Sequence, residues 1–159
     1  MQKMTILCTG KLKEKFYLDA VAEYVKRLSR FCKLEIIELP EERLPEDPSP
    51  DQIEAALSKE ADAVRAKLPN GCLVIAMCVE GRERSSEELA RYLADSATQG
   101  ASHIVFLIGS SFGMHESLKR QAALRLSMSP MTFPHHLLRV MLLEQIYRGY
   151  QIKAGSRYH

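Results

Sequence analysis

Two uninterrupted apolar runs, CLVIAMCV at 72–79 and HIVFLIG at 103–109, set the terms on which this chain can fold. Successive side chains of a strand point to opposite faces, so a strand with one wet face alternates apolar and polar residues. Neither run alternates. Each must be covered on both faces, the condition of a central strand in a parallel α/β sheet. MTILC (4–8) and LEIIEL (34–39) read as further strands, and LRLSMS (124–129) as a short last one. Between the first two, Tyr17, Val21, Tyr24, Val25 and Leu28 recur at helical spacing. Ser49-Pro50 opens a second helix with Ile53, Ala56, Leu57, Ala61, Val64 and Leu68 on one face, and PNG (69–71) ends it. SSEELARYLADSATQG has a capping-box start and stops at Gly100. Two more helices are predicted, one through HESLKRQAA and a long one from Pro134. The order βαβαβαβαβα predicts a parallel sheet flanked by helices, one domain over 1–159, with any ligand beyond the carboxyl ends of the strands.

Composition narrows the function classes. The chain is 46% hydrophobic and 26% charged, as a soluble globular protein is. A net charge of +2 means that a nucleic-acid surface would have to gather its basic groups on one face. No stretch approaches the roughly 18 apolar residues of a membrane span. The five-residue apolar run near the start is too short for a signal-peptide core. Cys8, Cys32, Cys72 and Cys78 form no C-x-x-C pair and read as reduced thiols. These features predict a cytoplasmic protein. LPEERLPEDPSP (39–50), with four prolines, is expected to be an extended, solvated loop.

Three segments carry candidate chemistry. Gly109, Ser111 and Gly113 spell G-x-S-x-G, the turn that presents a nucleophilic serine in α/β-hydrolases. Acids and histidines follow in the required order, but no HGGG-like oxyanion segment precedes the serine. The other reading is a small-residue loop beside a cofactor. Neither G-x-G-x-x-G nor a Walker motif is present, which argues against dinucleotides and nucleotide triphosphates. Adjacent His135 and His136 point about 100° apart on a helix, so they cannot share one ion, and no metal is expected.

The closing segment holds the rest. Pro130 and Pro134 make SMSPMTFP a loop. The helix after it is apolar nearly all round at 137–143, which predicts cover by a partner, a homodimer, with Leu142 at the contact. Beyond, Arg148, Lys153, Arg157 and His159 alternate with Tyr147, Tyr150 and Tyr158. That pattern suits phosphate contact with base stacking, or an ordinary solvated tail.

ILCTGKLKEKFYLDAVAEYVKRL, IAMCVEGRERSSEELA, FLIGSSFG and, above all, LSMSPMTFPHHLLRVMLLEQIYRGYQIKAGSRYH resemble the bacterial large-subunit ribosomal RNA methyltransferase H family, end to end. The resemblance implies a SPOUT-type fold with a C-terminal trefoil knot, a homodimer and S-adenosyl-L-methionine as cofactor. It implies methylation at N3 of a pseudouridine in 23S ribosomal RNA, with the formed ribosome as partner. Cofactor contacts would fall on Met77, Gly109, Met128, Ser129, Pro130, Met131, Thr132 and Phe133. Tyr158 and His159 are expected at the target base, with Arg139 and Arg148 steering phosphate or stabilising the developing anion. Two places depart from the family pattern. Ser110 stands where a second glycine is usual, and the tail KAGSRYH matches at Tyr158 and His159 but not at Lys153 and Arg157. The rival classes are a cofactor-binding regulator without catalysis and a hydrolase using Ser111.

Overall fold

The two apolar runs become neighbouring strands near the middle of one sheet. The structure, a computed structural model, describes residues 1–156. Its elements run β1 (Lys3–Thr9), α1 (Lys15–Leu28), β2 (Lys33–Leu39), α2 (Pro50–Lys67), β3 (Leu73–Glu83), α3 (Ser86–Thr98), β4 (His103–Ile108), α4 (Glu116–Gln121), β5 (Leu124–Ser127) and α5 (His135–Lys153). Among the described residues the strands form one sheet in the order β2-β1-β4-β3-β5, every neighbouring pair parallel.

Alternation along the strands sorts the core into two layers. Met4, Ile6, Ile75, Ile104, Phe106 and Ile108 face α1, α3 and α5. Leu7, Val74, Ala76, Val105 and Leu107 face α2 and α4. Helix starts fall where the sequence puts its caps. Ser49 and Ser85 each accept from the backbone N–H three residues on, and Gln52 and Glu88 reach back to close capping boxes.

Three expectations need correction. Strand β3 does not stop at Val79. It leaves its register with β5 after Met77, regains it at Arg82 and continues to Glu83. Gly81 makes this rejoining feasible, since a Cβ there would lie 2.9 Å from the Arg125 backbone. Leu142 is not at a partner surface. It lies with Leu143 and Ile146 in the chain's own core, because α5 packs against α1 and α3. Tyr147 and Tyr150 do not stand out for base stacking. Tyr150 stacks on Phe31 at 5.4 Å and 13°, and Tyr147 sits edge-on to Tyr24 and Phe31.

Candidate active site

At the carboxyl edge of the sheet, the chain leaving β3, β4 and β5 encloses a cavity of about 730 Å3. Its floor is apolar, with Met77, Ile108, Leu126, Met128 and Leu138, and Gly109–Met114, Ser129 and Met131–His135 form its walls. Of the eight residues expected to hold the cofactor, all but Pro130 line it. Ser110, Phe112, Lys119 and His135 line it as well, and only folding identifies them as part of it.

Hydrogen bonds explain how short loops hold these walls. Ser110 and Gly113 exchange both backbone bonds, N–H to C=O at 3.0 and 2.9 Å, so 109–113 is a tight turn. A Cβ on Gly109 would lie 2.4 Å from the Gly113 carbonyl oxygen, which explains the glycine without catalysis. After β5, the Ser127 hydroxyl donates to the Ser129 carbonyl at 3.0 Å, and the Met131 N–H donates to the Ser129 hydroxyl at 3.0 Å. Alternate serines thus satisfy a backbone that the prolines keep out of regular structure.

The turn is also tied to the far side of the sheet. Ser110 Oγ donates to Glu60 Oε1 at 2.8 Å, and the Glu42 N–H donates to Glu60 Oε2 at 2.9 Å. Glu60 is buried, and burial pushes its carboxyl up while these two donors oppose the shift. The Ser111 N–H donates to Glu41 Oε1 at 2.9 Å. One turn of the cavity wall is therefore pinned to α2 and to the proline loop.

Ser111 itself is exposed, and no hydrogen bond joins its hydroxyl to a histidine among the described residues. It lacks the base that would activate a serine. Ser111→Ala is expected to leave the activity of this site essentially unchanged, whereas labelling of Ser111 by a fluorophosphonate would restore the hydrolase reading.

The expected cations sit apart from one another. Arg139 is 2% exposed; its Nη1 donates to Glu38 Oε2 at 2.6 Å and its Nη2 to the Gly10 carbonyl at 3.4 Å. A guanidinium so enclosed cannot steer phosphate; it ties α5 to β2 and to the turn after β1. Arg148 Nε donates to Glu144 Oε1 at 2.8 Å, one turn back on α5. Tyr158 and His159, with Arg157, lie outside the described residues. His135 is half-buried in the cavity wall, and burial, then the neighbouring His136, holds its imidazole toward the neutral form. Among the described residues no group of three or more His, Cys, Asp or Glu side chains is arranged to hold a metal ion. No described helix is long and apolar enough to cross a membrane.

This parallel sheet, whose last three strands feed their loops into one cavity, is the fold of the SPOUT methyltransferase class. A family model described as predicted SPOUT methyltransferase matches residues 2–159. A ribosomal RNA large subunit methyltransferase H from Streptococcus uberis is 45% identical over 157 residues, 99% of each chain. One from Ligilactobacillus salivarius is 46% identical over 154 residues, 97% of each. The chain belongs to this methyltransferase H family. Its fold also resembles a solved methylase-family structure from Neisseria gonorrhoeae, with TM-score 0.55 at 13% identity over 92% of this chain and 82% of that one.

Proposed function

We propose that the protein methylates N3 of a pseudouridine in large-subunit ribosomal RNA, on the assembled ribosome, using S-adenosyl-L-methionine. The observation that carries this reading is the cavity at the carboxyl edge, lined by seven of the eight residues the family resemblance assigns to the cofactor. Its volume of about 730 Å3 lies inside the usual range for small-molecule sites. The floor of Met77, Leu126 and Leu138 suits a flat purine, and backbone groups of 109–113 and 128–133 supply polar partners. The names of the relatives support the RNA substrate.

The bound cofactor supplies a methyl group on a sulfonium, ready for in-line transfer to nitrogen. The chain's part is to hold the donor in the cavity, orient the base and take up the N3 proton. Tyr158 orients the base, His159 accepts the proton, and Arg148 offsets the developing negative charge. In this reading the protein is a cytoplasmic homodimer. Support for the dimer comes from Leu137, Val140 and Met141 on α5, which the chain's own atoms cover only in part. The resemblance also carries a trefoil knot in the C-terminal half, consistent with β5 pairing with β3 while β4 lies on the other side of β3.

The direct test is incubation of the pure protein with ribosomes and methyl-labelled S-adenosylmethionine, followed by mapping of the label. Label at a pseudouridine of large-subunit RNA is expected; cofactor binding without transfer identifies a regulator instead. Thr132 is exposed on the cavity wall, so Thr132→Trp fills the site without entering the core. Calorimetry should show cofactor binding lost with the melting temperature kept. Unchanged affinity would move the site elsewhere.

A further inference from the structure

Four rings lead outward from the cavity. His135 is part of its wall, and its ring centroid lies 4.2 Å from that of His136. His136 lies 6.1 Å from Tyr17, edge-on, and Tyr17 lies 4.3 Å from Phe16. Phe16 is 66% exposed, and beside it Leu18 is 45% exposed. A single exposed phenylalanine is ordinary. Here it ends a continuous series that begins at the reaction site.

Cations flank the same series. Lys11, Lys13 and Lys15 are exposed and alternate with buried Leu12 in the segment that follows β1. This segment is fixed from beneath. The Gly10 N–H donates to the Leu39 carbonyl at 2.8 Å, the Leu12 N–H donates to Glu38 Oε2 at 2.8 Å, and Arg139 grips both Glu38 and the Gly10 carbonyl. With Leu12 pinned inward, its neighbours are held outward in the extended chain. Lys15 is paired with Asp19, and Glu14 lies 3.4 Å from His136. Among the described residues no ion pair engages Lys11 or Lys13.

We propose that Phe16, Tyr17, His136, Lys11 and Lys13 form the surface that holds the RNA strand flanking the target base. The inference rests on the methyltransferase reading and names the part of the chain that grips its substrate. RNA fits better than a protein partner. Rings offer a stacking face to any base, two exposed cations outside any direct ion pair suit a phosphate backbone, and the surface runs without a break into the cavity. A protein-binding patch needs the exposed rings but not the lysines.

The test measures methyl transfer against ribosome concentration at several salt concentrations, alongside cofactor affinity by calorimetry. Phe16→Ala is expected to raise the KM for ribosomes about tenfold, from loss of one stacking platform. The kcat and the cofactor affinity should hold, and Phe16→Tyr should restore KM. Lys11→Gln with Lys13→Gln should raise KM and flatten its dependence on log salt by about one to two units of slope. Since these side chains are exposed, the melting temperature should not move. Unchanged KM in both variants overturns the inference. So does a Phe16→Ala effect accompanied by an unchanged salt slope in the lysine variant, which marks an apolar patch for a protein. A wild type that labels no RNA overturns the methyltransferase reading itself and takes this inference with it.

Discussion

Removal of Arg157, Tyr158 and His159 is expected to abolish methyl transfer to ribosomes while S-adenosylmethionine still binds. The two functions separate because the cavity is built upstream. Its walls are held by the Ser110–Glu60 bond and by the serine contacts of 127–131, none of which involves the last three residues. The described chain closes α5 at Gly155, whose φ of +74° turns it off the helix, and the Ser156 N–H bonds to the Gln151 carbonyl. The truncated protein therefore keeps its helix end and the cavity proposed for the cofactor. It loses the groups proposed to orient the base and accept its proton. General-base help alone is worth about 10²–10⁴ in rate, so loss of base and orientation together should leave little measurable transfer. Tyr158→Phe and His159→Ala, made separately, apportion the loss. A truncation that methylates at the wild-type rate removes the tail from the mechanism. One that no longer binds cofactor shows that the tail closes over the donor.

The second large effect concerns folding. Arg139→Met should destabilise the protein by roughly 3 kcal/mol, the lower end for breaking a buried ion pair, because Glu38 is 32% exposed and regains some water. For a domain of this size that is about 6–12 °C in Tm. The effect should depend on pH. Burial pushes the Glu38 carboxyl up, but hydrogen bonds from Arg139 and the Leu12 N–H outweigh it, and the net shift is below the ordinary value of 4.5. A carboxyl lowered on folding contributes stability that is present above its unfolded pKa and is lost as pH falls through the folded one. The wild type should thus lose stability in acid below about pH 4.5 from this pair, and Arg139→Met should show less of that loss. Thermal melts at pH 7 and pH 4 measure both. Adding Glu38→Gln should recover part of the stability, since it removes the carboxylate left without its arginine. Equal Tm values for wild type and Arg139→Met at neutral pH would show that the pair contributes no net stability.

What could be read from the sequence divides by distance along the chain. Strand positions, helix starts and the proline-broken loop depend on near neighbours in the chain. The serines at 49 and 85 carry that information in the open. The role of Arg139 does not depend on neighbours. Its partner Glu38 lies 101 positions off, and an arginine among leucines gives no sign of whether it faces water or a carboxylate. Glu60 was equally silent, since Ser110 is 50 positions away. The tyrosines of α5 alternate with basic residues much as an RNA surface would. Phe31, on another element, decides that Tyr150 packs inward instead. Meanwhile α1 kept its exposed rings hidden in a run that reads as an ordinary amphipathic helix. At Ser111 the letters left two meanings open, a nucleophile turn and a small-residue loop, and the crowding at Gly109 favours the loop.

The pairing of β1 with β4 has a consequence in time. Thr5 Oγ1 and His103 Nε2 lie 2.7 Å apart in the sheet, although the two residues are separated by 98 positions in the chain. Strand β1 can meet β2 early, but its other edge has no partner until β4 has been synthesised at residue 108 of 159. Contacts of such long sequence separation must bear the cost of ring closure before they return any stability, so they slow folding more than they weaken the folded state. During that interval Met4, Ile6 and Cys8, which end fully buried, have neither β4 beside them nor α5 above them. The nascent chain therefore carries an unpaired strand edge until β4 joins it, and an uncovered apolar face until α5 packs over it.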